Sequence, residues 1–359
     1  MRVLVLNPGS STLKTALVED GVATRSDNVA TPHGDETEVA GVLADWGPYD
    51  AVGIRFVHGG PRHLEPVRVA DAVLADLDEA AGLAPLHNPS SLAATRAALA
   101  AVEVPVVACF DTTFHRTMSP AAHTYALPKE WNRRWALRRY GFHGLSHEYA
   151  AGRAARMLGL PLERLRVVVC HLGGGASLCA VAGGVSVDTT MGFTPLAGLV
   201  MQVRSGSLDP GLVLWLQRQG GVPLDELNEA LERRSGLAGL SGTAGDLREI
   251  LSLRARGDAD AGLAFDVYRH RLVREIGAMV ASAGGLDVLV FTGGVGEGSA
   301  EVRGAVADDL AWLGVGIDER PDVAGDRDLT ASGARVRTLV VEAREDLQIA
   351  AAVQGLLAE

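Results

Sequence analysis

Three glycine-rich segments contain the residues of this sequence that are best suited to bind phosphate. Each follows a short apolar stretch typical of a β-strand: NPGSST occupies residues 7–12, GGGAS occupies 173–177 and GGVGEG occupies 293–298. Glycine-rich turns at strand ends present backbone N–H groups to anions. The segments therefore predict phosphate binding, although the third is weak evidence alone because turns are rich in glycine anyway.

The first two glycine segments lie inside the same local pattern, which occurs twice. Strands at Arg2–Leu6 and Leu13–Val18 flank the first turn, and a third strand is expected from about Val22. The pattern returns in RVVVCHL, GGGAS, SLCAVA and VSVDTT, within residues 166–190. The alignment pairs Asn7 with His171, Gly9 with Gly173, and Ala16 with Ala180. Two copies of a strand, a phosphate-type turn and a hairpin indicate a duplicated nucleotide-binding domain.

Further elements are expected around these copies. VPVVACFD predicts a strand that ends at Asp111, and VLVFT predicts another, from Val288, that leads through the third glycine segment into a helix. Apolar residues at helical spacing predict a helix over Ala261–Gly284. The face of that helix is formed by Phe265, Tyr268, Leu272 and Ile276. A last helix, Glu345–Leu357, is expected to pack back on the first domain.

Length and composition restrict the class of protein. The chain has 359 residues, 47% hydrophobic and 21% charged, which predicts two globular domains. The net charge of -11 argues against nucleic acid and anionic membranes as partners. No signal peptide or membrane span is expected, and the three cysteines, Cys109, Cys170 and Cys179, are interpreted as buried thiols of a reducing compartment.

From NPGSSTLK onwards, the sequence resembles the acetate kinase family, a branch of the sugar kinase, actin and Hsp70 superfamily. The resemblance covers nearly the whole chain in matching order. Its further motifs are RFVHGG (55–60), PLHNPSS (85–91), FDTTFHRTM (110–118), YGFHGLSH (140–147), HLGGGASLCA (171–180), MGFTPLAGL (191–199), RSGSLDP (204–210), SGTAGDLREI (241–250), FTGGVGEGSAEVR (291–303) and EDLQIA (345–350).

The resemblance implies an α/β fold of the duplicated, ribonuclease H-like, actin and Hsp70 type, with two domains and a central interdomain cleft. Residues 1–112 and 345–359 would form the first domain. Residues 113–344 would form the second, with the adenosine-binding motifs and a homodimer interface. The implied activity is reversible, direct in-line transfer of phosphate from ATP to acetate in the cytoplasm, with Mg²⁺, or Mn²⁺, as cofactor. The alternatives are another short-chain carboxylate such as propionate, another phosphoryl donor, or a non-catalytic nucleotide sensor.

The resemblance also assigns catalytic residues. Arg55 and Arg204 would neutralise the carboxylate and the transferring phosphoryl group, and His143 would stabilise that group in flight. Asp111 matches a catalytic aspartate of the family. Because carboxylic acids are already ionised at neutral pH, we expect it to orient the metal or to hold an arginine rather than to act as a base. The competing interpretations are ordinary ion pairs, a core histidine and a turn cap for Thr112–Phe114.

Metal, nucleotide and acyl positions follow in the same way. Asn7 and Glu345 would bind the metal. The expected nucleotide-binding residues are Ser10, Thr12, Lys14, His171, Leu172, Gly173, Gly174, Gly175, Asp246, Leu247, Arg248, Gly294, Val295, Gly296, Glu297 and Gly298; Lys14 could equally be a strand lysine that points to solvent. The acyl group would contact Arg55, Val57, Leu86, Phe142 and Pro195, the last four of which could equally be ordinary core. Such a pocket discriminates one methylene by only roughly 1 to 3 kcal/mol.

Five positions depart from the family pattern. Gly174 and Gly298 stand where asparagine is usual, Ala197 replaces a glutamate, and Gln202 and Val203 replace a Gly-Thr pair before Arg204. The bulk of residues 202 and 203 is expected to narrow the cleft beside that arginine. These changes bear on the phosphoryl donor and the rate more than on the class of reaction.

Overall fold

The structure of the protein is a computed structural model that describes residues 1–9, 12–30, 36–85, 87–319 and 324–358. The chain divides into two compact units. The first unit contains residues 1–116, 142–149 and 344–359, and the second contains residues 117–141 and 150–343. Each unit is built around one six-stranded sheet.

The sheet of the first unit has the order β3-β2-β1-β4-β6-β5. Its strands are β1 (Arg2–Pro8), β2 (Thr12–Glu19), β3 (Val22–Ala30), β4 (Ala51–Phe56), β5 (Val67–Arg68) and β6 (Val106–Phe110). β1, β4 and β6 are parallel neighbours, whereas the β1–β2, β2–β3 and β5–β6 pairs are antiparallel. The expected strand, turn and hairpin at the N-terminus are confirmed.

The sheet of the second unit repeats this topology. Its strands are β7 (Arg166–Leu172), β8 (Ala176–Ala182), β9 (Val185–Thr189), β10 (Val288–Thr292), β11 (Arg327–Asp328) and β12 (Arg337–Val340). The order β9-β8-β7-β10-β12-β11 has the same parallel and antiparallel pairs as the first sheet. The predicted α/β fold with a duplicated sheet is confirmed.

One detail of the predicted alignment is wrong. β1 and β7 match along their whole length, so Asn7 does correspond to His171. In the hairpins, however, Asn7 pairs with Lys14 and His171 pairs with Ser177. The second turn is thus one residue shorter, and Ala180 corresponds to Leu17 rather than Ala16. With this shift, the register irregularity of the two hairpins falls at the same place.

Fourteen α-helices are present in the described part of the chain. They are α1 (Glu36–Asp45), α2 (Asp71–Ala80), α3 (Asn88–Ala101), α4 (Pro120–His123), α5 (Lys129–Arg134), α6 (Gly144–Leu158), α7 (Pro210–Arg218), α8 (Leu224–Arg233), α9 (Gly236–Ser241), α10 (Leu247–Ala255), α11 (Ala259–Ala283), α12 (Gly293–Gly298), α13 (Ala300–Asp309) and α14 (Glu345–Ala358). The third glycine segment therefore forms a short helix, where a turn was expected.

Both faces of the first sheet are covered by apolar helices. α14 buries Ile349, Ala350 and Val353 on the face that carries Val3 and Val5, as predicted for the last helix. Full burial of a side chain such as Ile349 contributes about 1.5 to 3 kcal/mol. A larger cluster, which includes Leu4, Leu6, Ile54, Phe56 and Phe110, lies on the other face. This two-sided burial explains why β1 reads as a continuous apolar run.

In the second unit, α11 packs against β7, β8 and β9. Its predicted apolar face is confirmed because Phe265, Tyr268, Leu272 and Ile276 are all buried. The three cysteines are also buried, as expected, and burial raises the pKa of each thiol. Across the ranges that the structure describes, no helix is both long enough and apolar enough to cross a membrane.

Candidate active site

A row of polar side chains continues the α14-covered face of the first sheet beyond the helix. Val3 and Val5 pair with Ala51 and Gly53 across β1 and β4, and the same register brings Asn7 beside Arg55. α14 lies very close to the sheet at Gly53, where a Cβ atom would come within 2.7 Å of Ile349 and 2.8 Å of Val353. α14 therefore covers the apolar part of this face, and the polar row lies beside Glu345, the first residue of the helix.

Arg55 is the centre of this polar row. Its Nε and Nη2 atoms donate to the two carboxylate oxygens of Asp111, at 2.8 and 2.7 Å, and its Nη1 donates to Asn7 Oδ1 at 3.0 Å. Glu345 Oε2 lies 3.6 Å from Nη1 and accepts a hydrogen bond of 2.8 Å from Asn7 Nδ2. Four predicted site residues thus form one hydrogen-bonded network.

Burial makes this network electrostatically strong. Asp111 is 2% exposed and Arg55 is 18% exposed. Burial opposes the charge of Arg55, but Asp111 and Glu345 more than offset it and raise the pKa of the guanidinium. Burial also raises the pKa of Asp111, and Arg55 opposes that rise. Asp111 therefore forms two hydrogen bonds to a buried arginine, and the single positive and two negative charges of the group leave one excess negative charge.

His143 lies directly beside Asp111. The backbone N–H of His143 donates to the Asp111 carboxylate, and the N–H of Gly144 donates to the Asp111 carbonyl at 2.8 Å. A Cβ atom on Gly144 would lie 2.2 Å from that carbonyl, so only glycine fits there. His143 has a φ of 57°, a left-handed conformation that costs about 1 to 3 kcal/mol and clusters at functional sites.

The predicted acyl-binding residues are divided between the units. Val57 is partly buried in the segment after β4, and Phe142 is buried beside His58. The reciprocal hydrogen bonds of Asn88 with the His58 backbone fix this segment. Pro195 belongs to the second unit. Leu86 lies outside the described residues.

The phosphate-binding residues predicted near the N-terminus are in part described. Ser10 lies outside the described residues. Thr12 and Lys14 are exposed on β2, and Lys14 pairs with Asn7, so its side chain shares the face that carries Arg55. In the second unit, His171 and Leu172 end β7 at the matching position, with His171 partly and Leu172 fully buried.

The second unit contains a pocket of about 830 Å³, a size typical of ligand sites. Eight predicted nucleotide-binding residues line it: Gly173, Gly174, Asp246, Leu247, Arg248, Gly294, Val295 and Gly298. The remaining lining residues are Gln202, Leu237, Gly245, Leu251, Tyr268, Ser299, Ala300 and Glu301. The structure thus brings together the glycine turn after β7, the start of α10 and the α12 segment.

Two walls of this pocket are fixed by local hydrogen bonds. Asp246 caps α10 and forms an ion pair with Arg248, and the hydrogen bonds from Arg248 lower the pKa of Asp246 to about 2. In the α12 segment, Glu297 Oε1 accepts from the backbone N–H groups of Gly293 and Ala343, at 2.8 and 2.9 Å. The Glu297 carboxylate therefore holds α12 in place. Gly296 is buried within the same helix, and Gly175 accepts from Gly173 in the turn.

Arg204 lies in a loop that backbone hydrogen bonds join to α8 and to the start of α9. The N–H groups of Ser205, Ser235 and Leu237 donate across this loop to Leu231, Val203 and Met201. Gly236 packs so closely that a Cβ atom would meet the Met201 carbonyl at 2.2 Å. Arg204 Nε lies 3.4 Å from Glu232; burial lowers the pKa of Arg204, and Glu232 opposes this effect.

Sequence reasoning missed several residues that line the pocket. Leu251 follows Leu247 at helical spacing, and that signal was available. The helical spacing predicts Tyr268 only as a core residue, but this buried residue also borders the pocket. Gln202 was noted as a bulky departure, yet its position over Gly174 depends on a contact between distant segments. A side chain at Gly298 would meet open space.

Comparison with known proteins identifies close relatives. The model of the acetokinase family matches residues 35–351. The acetate kinase of Leifsonia xyli subsp. xyli is 50% identical over 307 residues, which cover 84% of this chain and 77% of that protein. The crystal structure of Porphyromonas gingivalis acetate kinase matches with a TM-score of 0.88 at 33% identity, over 99% of both chains. A propionate kinase from Francisella tularensis subsp. tularensis matches with a TM-score of 0.88 at 34% identity, over 98% of both chains.

Proposed function

Because the chain belongs to the acetokinase family, we propose that it transfers the terminal phosphoryl group of ATP to acetate, directly and reversibly, to give acetyl phosphate and ADP. The observation that carries this proposal is the buried Arg55 network of the first unit. A rigidly held guanidinium at the end of a sheet suits a reaction in which one anion must approach another.

The acceptor carboxylate needs orientation rather than activation. Carboxylic acids titrate near pH ~4 to 5, so acetate is already a nucleophile at neutral pH. Arg55 binds the carboxylate and reduces its repulsion from the phosphate groups. Asp111 fixes the plane of the guanidinium through two hydrogen bonds. No group of this network has to accept a proton from the substrate.

Charge on the transferring phosphoryl group is neutralised by His143 and Arg204. The equatorial oxygens of a loose phosphoryl transition state carry most of its charge. The left-handed backbone of His143 is held by the hydrogen bond from its N–H to Asp111, which fixes the position from which the imidazole projects. Arg204 keeps its position through the hydrogen bonds of its loop and its ion pair with Glu232.

Magnesium is the metal that suits the first unit. Among the described residues, no cluster of three or more His, Cys, Asp or Glu side chains forms a ready metal cage. The donors are instead the side-chain oxygens of Asn7 and Glu345, in a network with one excess negative charge. This set fits Mg²⁺, which prefers oxygen and keeps several waters. Bound there, the ion would shield the phosphate charge; Mn²⁺ is the alternative.

The 830 Å³ pocket of the second unit is the proposed ATP site. The turn at Gly173–Gly175 binds phosphate through its backbone, and the walls at Asp246–Arg248 and Gly294–Gly298 bound the adenosine. In the first unit, Thr12 and Lys14 approach the terminal phosphates.

Propionate is the second candidate acceptor, and the similarity to a propionate kinase favours it. Val57, Phe142 and Pro195 bound the acyl group in this proposal.

The protein acts in the cytoplasm, where its three buried thiols stay reduced. We assign a homodimer to the exposed apolar side of α7 that carries Leu212 and Trp215, one helical turn apart and 44 and 55% exposed; Trp215→Glu should convert the dimer to a monomer in light scattering.

The test is a coupled assay of ADP formation by the purified protein with ATP and acetate, propionate or butyrate. With GTP or pyrophosphate in place of ATP, the acyl phosphate product is measured instead, trapped as its hydroxamate. We expect turnover with ATP and acetate, and kcat/KM ranks the acids and donors. Arg55→Ala should remove most of it. Arg62→Ala is the matched control, because Arg62 is an exposed arginine of the same unit that pairs with Asp76 and Glu79. No ADP formation with any acid would refute the proposal.

A further inference from the structure

Two of the positions that depart from the family pattern, Gly174 and Gln202, are in direct contact in the second unit. The backbone N–H of Gln202 donates to the Gly174 carbonyl at 3.2 Å. A Cβ atom at position 174 would lie only 3.0 Å from Gln202 Oε1, which is tighter than an ordinary contact. The carboxamide of Gln202 therefore occupies the space that a side chain at 174 would need, above the glycine turn.

The orientation of this carboxamide is set by its other partner. Gln202 Nε2 donates to the carbonyl of Ala244 at 3.1 Å. A carbonyl only accepts hydrogen bonds, so the reversed amide would place two oxygens against each other. The NH₂ end must consequently face Ala244, and the group above the glycine turn is the acceptor oxygen, Oε1.

An acceptor at this position selects one part of a nucleotide. Phosphate oxygens are themselves acceptors and gain nothing from Oε1, whereas a ribose hydroxyl can donate to it. Gln202 contacts Gly174, at the proposed phosphate end of the pocket, and Ala244, two residues before the proposed adenosine wall at Asp246. In any nucleotide the ribose joins these two parts.

We propose that Gln202 is a nucleotide-binding residue, whose carboxamide oxygen accepts a hydrogen bond from a ribose hydroxyl and so selects nucleosides over simple polyphosphates. This inference rests on the proposed function, because it takes the pocket of the second unit as the ATP site. It adds a specificity residue at a position that the family motifs leave out.

The test is calorimetric titration of the purified full-length protein with ADP, 2′,3′-dideoxy-ADP and pyrophosphate, each with Mg²⁺. Gln202→Ala should weaken ADP binding about three- to tenfold, the range for one lost hydrogen bond, and should leave dideoxy-ADP and pyrophosphate within twofold of wild type. Gln219→Ala is the matched control, an exposed glutamine outside the pocket. Gln202→Ala without effect on ADP would overturn the inference.

A second variant separates ligand contact from loop support. Gly174→Ala places a Cβ atom against Oε1 and should displace the carboxamide. As a single variant, it should lose as much ADP affinity as Gln202→Ala does. Added to Gln202→Ala, it should cause no further loss. An equal loss for ADP, dideoxy-ADP and pyrophosphate would mean that Gln202 only supports the loop, and would refute the ribose contact. Failure of the wild-type protein to bind ADP would instead refute the proposed ATP site.

Discussion

Replacement of Asp111 by asparagine tests whether this carboxylate acts through Arg55. Asp111→Asn keeps the size of the side chain, but it removes one of two charge-assisted hydrogen bonds to the guanidinium and brings the net charge of the network from -1 to zero. Loss of one partner of a buried ion pair costs about 3 to 5 kcal/mol. Arg55 keeps Asn7 at 3.0 Å and Glu345 at 3.6 Å, so we expect the lower end, about 3 kcal/mol.

The kinetic effect should be large and should depend on Arg55. Loss of one hydrogen-bond donor that stabilises charge in the transition state lowers turnover by about 10²- to 10³-fold. If the Arg55 guanidinium is no longer held in place, kcat of Asp111→Asn should fall by about that factor. If Asp111 works by holding the guanidinium, Asp111→Asn should have little further effect when it is added to Arg55→Ala. Chemical denaturation gives the stability change, and the coupled assay of the two single variants and the double variant gives the kinetic cycle.

Independent kinetic effects of Asp111→Asn and Arg55→Ala would refute the claim that Asp111 acts through Arg55. If the losses of the two single variants multiply in the double variant, Asp111 has a role of its own. The pH–rate profile gives a second test. If Asp111→Asn removes the acid limb of the wild-type profile and Arg55→Ala retains it, Asp111 is a general base. The arginine-holding role predicts the same shape of profile in both variants.

Three further predictions concern particular residues of the first unit. His143→Asn should keep the native unfolding midpoint, because asparagine tolerates a positive φ, and should lower kcat about 10²-fold; unchanged turnover would contradict the role of His143. Burial lowers the pKa of His58 to about 4, below its unfolded value of ~6.5, so the stability it confers is present above pH 6.5 and is lost as the pH falls towards 4. We expect a loss of about 2 kcal/mol between pH 7 and 5, measured by denaturation and absent in His58→Asn; an equal slope in both proteins would contradict it. Gly53→Ala should cost about 1 to 3 kcal/mol by overpacking α14, with partial rescue by Ile349→Ala; additive losses would show that the two residues do not clash.

Local patterns explain how much of the fold was predictable. The apolar run of β1 and the helical spacing of Phe265, Tyr268, Leu272 and Ile276 depend on the sequence near each residue, and the structure agrees with both. Position along the chain also placed Asp111 at the end of β6, where it faces Arg55. These features follow from periodicity and from the meeting of parallel strands at one edge.

Other features depend on contacts that the sequence does not display. The segment Gly293–Gly298 forms a helix despite four glycines, and Glu297 accepts a hydrogen bond from the Gly293 N–H at its start. Glycine is required at position 293 because a Cβ atom there would lie 2.7 Å from the Leu172 carbonyl. The one-residue shift between the hairpins follows from the length of a turn. The contact between Gly174 and Gln202 joins segments that are 28 residues apart in the chain.

Phosphorus NMR of the purified protein with MgATP and acetate tests the central claim most directly. We predict that acetyl phosphate and ADP appear in equal amounts, only when acetate is present, and that Arg55→Ala forms neither at a comparable rate. Unchanged ATP, or ATP hydrolysed to ADP and inorganic phosphate without any acyl phosphate, would contradict transfer to a carboxylate.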